Sequence, residues 1–219
     1  MDFENFISTS TGDKFILKNN ILESKAGEKI QILNKIPRFA PEDNYTLAFG
    51  RQWKIYSEVQ LDSKNQTTLS EDRISIALGK PLDSIKDLKI IEAGSGAGRF
   101  TEILLKYGAK VYSFDLSEAV DANLKNNSGH PNLTIFQADI EKIPFEDNFF
   151  DISLCLGVMQ HTPNTLKSLT ELSRVTRNKG MILFDHYQKH PGQYLSLYLF
   201  YWFIIKNLPA SIQHKVTAS

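Results

Sequence analysis

The chain has 219 residues, of which 42% are hydrophobic and 23% charged, and this length and composition fit a globular domain with an appendage. Twenty-five basic residues balance twenty-five acidic ones, so no excess of positive charge favours nucleic acid as a partner. A single cysteine, Cys155, excludes an internal disulfide and a multi-cysteine zinc site. We expect a buried thiol, no bound metal and, because the first residues lack a signal peptide pattern, a cytoplasmic protein.

The N-terminal third predicts two accessory segments. Residues 1–40 are polar and turn-rich, with short alternating runs such as KFILKNNILES, and predict a small β-rich leader. Residues 41–80 mix aromatic and polar side chains and end in a predicted helix over 68–78, which indicates a helical lid or collar. Packing is the favoured role of its aromatic groups, but three side chains are candidate ligand contacts: Gln52, Trp53 and Gln60.

Residues 81–190 predict alternating strands and helices. Apolar, β-branched runs predict strands over 88–93, 110–116, 132–140, 149–158 and 180–187. Amphipathic or capped segments predict helices over 99–107, 117–125 (with Ser117 as its cap) and 165–176. Strands separated by helices of this length form right-handed crossovers, so we expect an α/β, doubly wound, mainly parallel sheet.

The first of these strands runs into a glycine-rich turn, Gly94-Ser95-Gly96-Ala97-Gly98. Its spacing is G-x-G-x-G rather than the G-x-G-x-x-G fingerprint of dinucleotide sites. Glu92 precedes the turn, and a carboxylate there disfavours a phosphate and favours a positively charged ligand. The alternative is a tight turn that binds nothing.

Two more acids follow the next two strands. Because the carboxyl ends of parallel strands line one crevice, Asp115 and Asp139 are expected beside the glycine turn. Asp115 can accept hydrogen bonds from both hydroxyls of a ribose, and Asp139 can accept one from an adenine amino group. Leu116 and Ile140 can cover the two faces of the ring. The alternative for both acids is a local helix or turn cap.

Four segments in this order, IIEAGSGAGRF, VYSFDLS, ADIEKIPFEDNFFDISLCLGVMQHTPN and LSRVTRNKGMILF, resemble the successive motifs of class I S-adenosylmethionine-dependent methyltransferases. The resemblance covers about residues 70–190 and implies a Rossmann-like methyltransferase fold with S-adenosyl-L-methionine as cofactor. It implies cofactor-binding roles for Glu92, Gly94, Ser95, Gly96, Asp115, Leu116, Asp139, Ile140 and the backbone near Leu156. Arg73 is a candidate partner for the cofactor's carboxylate, with an exposed helix arginine as the alternative.

The leader resembles a narrower group. The segment NKIPRFAPEDNYTLAFGRQWKIYSEVQLDS is similar to the leader of bacterial methyltransferases in polysaccharide and secondary-metabolite pathways. Many of those begin with a small zinc ribbon that holds paired cysteines. The corresponding segments here, FISTSTGDKF and ESKAGEKIQI, contain none, so the resemblance implies a degenerate ribbon without metal. The family's complete sheet ends in an antiparallel strand pair that this sequence does not predict, so we expect those two strands to be missing.

The resemblance implies methyl transfer to a small-molecule acceptor, and we expect O-methylation of a sugar or a lipid-linked or secondary-metabolite intermediate. A hydroxyl acceptor benefits from a base near neutral pH, and His161, after the fourth predicted strand, is the candidate catalytic residue. A pocket residue without catalytic role is its alternative; His186 and Tyr187 can line the same pocket. The competing functions are a non-catalytic cofactor-binding or scaffold protein and an NAD(P)-dependent oxidoreductase or epimerase, which the glycine spacing disfavours.

Residues 191–219 predict an aromatic C-terminal helix. Its apolar stretch, residues 194–205, is shorter than the roughly 18–20 residues that span a bilayer. We therefore expect no transmembrane span. A lid over the substrate, a contact with the membrane surface and the face of a homodimer all fit this stretch.

Overall fold

The computed structural model describes residues 3–40 and 57–186. The predictions for Gln52, Trp53, Tyr187 and the aromatic C-terminal helix, and any strand after residue 186, lie outside the described residues. In the described ranges, no helix is long and apolar enough to cross a membrane.

The leader is a four-stranded antiparallel sheet, as the sequence predicts. Two-residue turns join its first and last strand pairs, and both residues of each turn have positive φ: Asn19 and Asn20, then Asn34 and Lys35. Asparagine adopts this conformation at low cost, which makes such pairs typical hairpin turns. The relation of the leader to a zinc ribbon stays a prediction. The division of the chain into residues 1–40, 41–80, 81–190 and 191–219 also stays a prediction. The strands are β1 (Phe15–Lys18), β2 (Ile21–Ser24), β3 (Lys29–Leu33) and β4 (Ile36–Pro37).

A five-stranded parallel sheet follows, in the order β7-β6-β5-β8-β9, so the predicted doubly wound α/β fold is confirmed. The order reverses between β5 and β8, and the loops that follow these two strands open a crevice at the carboxyl edge of the sheet. The strands are β5 (Lys89–Ala93), β6 (Lys110–Asp115), β7 (Leu133–Gln137), β8 (Phe150–Cys155) and β9 (Thr176–Phe184). The helices are α1 (Asp62–Asn65), α2 (Leu69–Leu78), α3 (Arg99–Lys106), α4 (Ala119–Asn127) and α5 (Thr165–Val175), with short 3₁₀ helices at Leu82–Ile85 and Met159–His161.

The sheet is covered on both faces, and most side chains of its central strands are buried. Ile91 and Ile90 are neighbours on β5 whose side chains point to opposite faces, and each belongs to a different buried cluster. Ile74 and Leu78 of α2 pack into the cluster of Ile90. This helix therefore covers the same face as α3, close to the glycine turn.

An aromatic cluster joins the leader to the other face of the sheet. The Phe6 side chain is fully buried, and its ring centroid lies 5.1 Å from that of Phe136 on β7 and 4.9 Å from that of Phe145. The Phe39 ring lies 5.0 Å from Phe6, and its backbone N–H donates to the carbonyl of Gln137 at 2.8 Å. The leader thus shares its hydrophobic core with the sheet and covers the edge strand β7.

Two element boundaries differ from the sequence-based expectation. Helix α4 begins at Ala119, and Ser117 is not its cap: the Ser117 hydroxyl donates to Asp115 at 2.7 Å and accepts from the Ala119 N–H at 3.2 Å. Strand β9 begins directly after α5, at Thr176, which pairs with Phe150. The register then shifts, and regular pairing starts again at Met181, close to the predicted start of the strand.

Replacement of Phe6 tests whether the leader is part of the folding core. We expect Phe6→Ala to lower the free energy of unfolding by about 3–5 kcal/mol, since it leaves a cavity among packed rings. Urea denaturation measures this change. The control is Ile16→Ala in β1, whose side chain is 62% exposed and whose loss should cost about 0.5 kcal/mol or less. Equal effects of the two substitutions would show that the leader unfolds apart from the sheet.

Candidate functional site

Most predicted site residues lie along the carboxyl edge of the sheet. The glycine turn follows β5, Asp115 ends β6, and Asp139 and Ile140 follow β7. Leu156 follows β8 and is buried, as is Ile140. The parallel topology therefore brings together groups that are far apart in the sequence.

The glycine turn has a backbone that other residues cannot adopt without strain. Gly94, Gly96 and Gly98 all have positive φ, at 74°, 52° and 91°. A side chain at Gly94 would clash with Val158, and one at Gly98 would clash with the amide groups of α4. The turn is held in place by the Gly94 and Ser95 N–H groups, which donate to the Phe114 carbonyl at 2.8 and 2.9 Å. The Ser95 hydroxyl is buried and has no hydrogen-bond partner within residues 3–40 and 57–186.

Asp115 fixes the flank of the turn. One of its carboxylate oxygens accepts from the Gly96 N–H at 2.9 Å. The other accepts from the backbone N–H and the hydroxyl of Ser117, at 2.8 and 2.7 Å. Asp115 therefore orients the loop itself and does not cap α4. A carboxylate has about four lone-pair sites, so capacity remains for ligand hydroxyls.

Glu92 is buried beneath the turn, with only 2% of its surface exposed. Its Oε2 accepts from the hydroxyls of Thr101 (2.5 Å) and Ser113 (2.9 Å), whereas its Oε1 is buried without a hydrogen-bond partner among the described residues. Burial raises the pKa of Glu92 to about 7; the two hydroxyls oppose the rise and the charge of Asp115 adds to it. An unpartnered carboxylate oxygen here suits a positively charged ligand group, so the site fits the cationic cofactor that the resemblance implies.

Arg73 lies at the crevice but is already paired. Its guanidinium forms an ion pair with Asp185, just after β9, and lies 5.5 Å from the centroid of the Phe100 ring. Asp185 also accepts from the Gly157 N–H at 2.5 Å. A role for Arg73 in holding the cofactor's carboxylate requires exchange of this ion pair. Asp185 is a residue that the sequence-based reasoning missed.

Asp139 and Leu116, which are predicted to contact the adenine ring, form hydrogen bonds with nearby residues of the protein. The Oδ1 of Asp139 accepts from the Glu141 N–H at 2.9 Å, which is the local cap foreseen as its alternative. The Leu116 carbonyl accepts from the Gln137 side chain at 2.8 Å. Contacts of Asp139 and Leu116 with an adenine ring stay predictions. In the collar, the exposed Gln60 accepts from Arg99 at 3.4 Å.

The turn after β8 carries the candidate base. His161 is exposed at the end of the 3₁₀ helix, and His186 is exposed after β9. The neighbouring Gln160 has both polar atoms of its side-chain amide buried without a hydrogen-bond partner in the part of the chain that the structure describes. Such a group costs stability unless a ligand satisfies it. In the described ranges, no group of three or more His, Cys, Asp or Glu residues is arranged to hold a metal ion.

The buried charge of Glu92 makes stability depend on pH. The pKa of Glu92 rises from 4.5 to about 7 on folding, so the folded state binds the proton more tightly and stability falls as pH increases through this window. We expect Glu92→Gln to remove this loss. Relative to wild type, the variant should gain up to about 3 kcal/mol in unfolding free energy between pH 5 and pH 8.

Urea denaturation at the two pH values measures this difference, and comparison across pH cancels any constant cost of the amide. The control is Glu146→Gln, because the Glu146 side chain is 55% exposed. This variant should change the unfolding free energy by the same amount at pH 5 and at pH 8. If wild type and Glu92→Gln show the same pH dependence, Glu92 is not the buried titrating group.

Comparisons with known proteins agree with this geometry. The methyltransferase domain family matches residues 91–184. The chain is 33% identical over 112 residues to a malonyl-[acyl-carrier protein] O-methyltransferase of Buchnera aphidicola, covering 51% of this chain and 44% of that protein. It is 27% identical over 114 residues to a ubiquinone biosynthesis O-methyltransferase of Coxiella burnetii, covering 51% and 49%. The chain thus spans about half the length of the curated relatives it matches.

A solved structure shows the same fold. Phosphoethanolamine N-methyltransferase 1 of Haemonchus contortus superposes with a TM-score of 0.52 at 21% identity, over 66% of this chain and 33% of that one. At this identity the likeness concerns the fold alone. Residues 91–184 match the methyltransferase domain family, and the order of the strands and the glycine turn after β5 agree with that match.

Proposed function

We propose that this protein transfers a methyl group from S-adenosyl-L-methionine to a small-molecule acceptor. The observation that carries the proposal is the buried Glu92 beneath the glycine turn, with one carboxylate oxygen unpartnered. A phosphate would be repelled there, whereas an ammonium group would be stabilised. The family match of residues 91–184 supports the same reaction class.

The cofactor would be held by groups from several strand ends. We assign the methionine end to Glu92 and the backbone of Gly94, Ser95 and Gly96. We assign the ribose to Asp115, whose carboxylate the loop already holds in a fixed orientation. The adenine is assigned to Asp139, with Leu116 and Ile140 against the ring and the backbone of Leu156 beside it.

The chemistry needs alignment more than covalent assistance. The cofactor supplies a methyl group activated by the positive charge of its sulfonium. Orientation of an acceptor oxygen towards that methyl group, with water excluded, contributes about 7–11 kcal/mol to lowering the barrier. His161 would take the proton from the acceptor hydroxyl as the new oxygen–carbon bond forms and the bond between the methyl group and the sulfonium sulfur breaks.

We propose a sugar hydroxyl, or a hydroxyl of a lipid-linked or secondary-metabolite intermediate, as the acceptor. The names of the two curated relatives, both O-methyltransferases, support transfer to oxygen. The unpartnered amide of Gln160, beside His161, supports a polar acceptor that hydrogen-bonds to it. A buried, unpaired Cys155 agrees with a reducing cytoplasmic compartment. Homodimer formation and membrane-surface contact through residues 194–205 stay proposals.

Ligand binding tests the cofactor assignment. We expect S-adenosylmethionine and S-adenosylhomocysteine to raise the melting temperature and NADH to leave it unchanged. In calorimetry, Asp115→Ala should weaken S-adenosylhomocysteine binding about tenfold or more, since it loses the ribose contact and frees the Gly96 amide. The matched control is Asp83→Ala, an exposed acid in the 3₁₀ helix after α2. Stabilisation by NADH alone would reject the proposal.

Turnover tests the candidate base. With a panel of hydroxyl acceptors and cofactor labelled in its methyl group, His161→Ala should lower kcat about 10²- to 10⁴-fold. Its affinity for S-adenosylhomocysteine should stay within about twofold of wild type. The control, His130→Ala, alters an exposed histidine in the loop before β7. Unchanged kcat in His161→Ala would assign it to packing, and cofactor binding without turnover on any acceptor would favour a non-catalytic binding protein.

A further inference from the structure

A chain of buried polar side chains connects the glycine turn to Glu92. The Asn127 amide group donates to the Gly98 carbonyl at 3.2 Å and to the Asn123 Oδ1 at 2.9 Å. The Asn123 amide group donates to the hydroxyls of Thr101 and Ser113, at 2.9 Å each. Both hydroxyls donate to Glu92, and Asn123, Thr101 and Ser113 are fully buried.

The direction of the hydrogen bonds between these side chains follows from the bond at the Gly98 carbonyl. A backbone carbonyl can only accept, so Asn127 must present its NH₂ group to Gly98. The same NH₂ group faces Asn123, which must therefore accept through Oδ1. Asn123 then has its NH₂ group towards Thr101 and Ser113, and one N–H is available for each hydroxyl oxygen.

The donation from Asn123 favours donation by both hydroxyls to Glu92. Each hydroxyl accepts from Asn123 and keeps its own proton to donate, and Glu92 Oε2 lies 2.5 Å from the Thr101 hydroxyl and 2.9 Å from that of Ser113. The two hydroxyl oxygens are also 3.1 Å apart, within hydrogen-bond distance of each other. Each hydroxyl oxygen has two acceptor sites, and Asn123 occupies one on each, so without Asn123 donation between the hydroxyls competes more strongly with donation to Glu92.

We propose that Asn123 is a positioning residue of the cofactor site, which orients the Thr101 and Ser113 hydroxyls so that both donate to Glu92 Oε2, which favours the charged form of the carboxylate and leaves Oε1 for a cationic ligand group. This proposal rests on the proposed function, in that the cationic group is the ammonium of S-adenosylmethionine. Asn123 has no charge, and its amide group donates to Thr101 and Ser113 rather than to the Glu92 carboxylate. Its effect passes through the two hydroxyls.

Electrostatics makes this positioning consequential. Burial favours the protonated form of Glu92, and Asp115, at the end of β6, acts in the same direction. The hydroxyls of Thr101 on α3 and Ser113 on β6 oppose both. With the pKa of Glu92 at about 7, loss of one donor changes the charged fraction near neutral pH, where the ligand must bind.

The first test needs no ligand. A carbon-13 NMR titration of the Glu92 carboxyl in the ligand-free full chain should give a pKa near 7 in wild type. Asn123→Leu keeps the volume but not the donors, and should raise this pKa by about one unit. Thr101→Val should also raise it, and Thr101→Ser, which restores the hydroxyl, should bring it back towards wild type. These two threonine variants keep the test valid if Asn123→Leu does not fold.

The second test is the affinity for S-adenosylhomocysteine, which keeps the ammonium, measured by calorimetry from pH 6 to pH 9. Wild-type affinity should rise as Glu92 ionises around pH 7. In Asn123→Leu the rise should move to higher pH, so that affinity falls about tenfold at pH 7 and recovers at pH 9. The control is Asn178→Leu, an exposed asparagine next to the irregular part of β9, which should retain the wild-type profile.

The outcomes separate the two levels of the proposal. An unchanged Glu92 titration in both Asn123→Leu and Thr101→Val overturns the positioning role, whatever the ligand does. An equal loss of affinity at all pH values in Asn123→Leu also overturns it, because a merely structural role predicts that pattern. If wild type fails to bind S-adenosylhomocysteine at every pH, the proposed function fails instead, and the ligand-free titration still decides the role of Asn123.

Discussion

Burial of the Glu92 carboxyl under a backbone turn is the constraint on which the centre of the molecule depends. A buried acid is tolerated only with hydrogen-bond donors around it. Thr101 and Ser113 supply them from α3 and β6, and Asn123 supplies the next layer from α4. Because Asn123 lies against the turn, Gly98 must lack a side chain. Helices α3 and α4, strand β6 and the glycine turn are thus all arranged around the Glu92 carboxylate.

Helix α4 is held from the leader as well as from the turn. Arg38, which follows β4 and is only 10% exposed, donates to both carboxylate oxygens of Asp121 at 2.8 and 2.9 Å and to Gln137 at 3.2 Å. Asp121 lies in the first turn of α4, less than one turn before Asn123. The leader therefore does more than cover the aromatic face of the sheet. It also fixes the helix that orients the hydrogen bonds beneath the cofactor site.

The sequence allowed the fold and the position of the crevice to be predicted, since periodicity locates strands and parallel topology places their carboxyl ends together. It did not reveal the support of Glu92, because Thr101, Ser113 and Asn123 are single polar residues whose mutual contacts exist only after the crossovers form. The partner of Arg73 was missed for the same reason: Asp185 lies 112 residues away in the chain. Ser117 was assigned as a cap from the local pattern, whereas its hydroxyl donates to Asp115 and the helix begins at Ala119.

The unpartnered Oε1 of Glu92 also bears on the choice of ligand. Burial of this charged group costs free energy. A ligand that offsets this cost carries a positive charge near the turn, as the ammonium of an amino acid moiety does. The N–H groups of Gly94, Ser95 and Gly96 already donate within the protein. A dinucleotide pyrophosphate carries negative charge, so the electrostatics of Glu92 favour a cofactor with a cationic group over a dinucleotide.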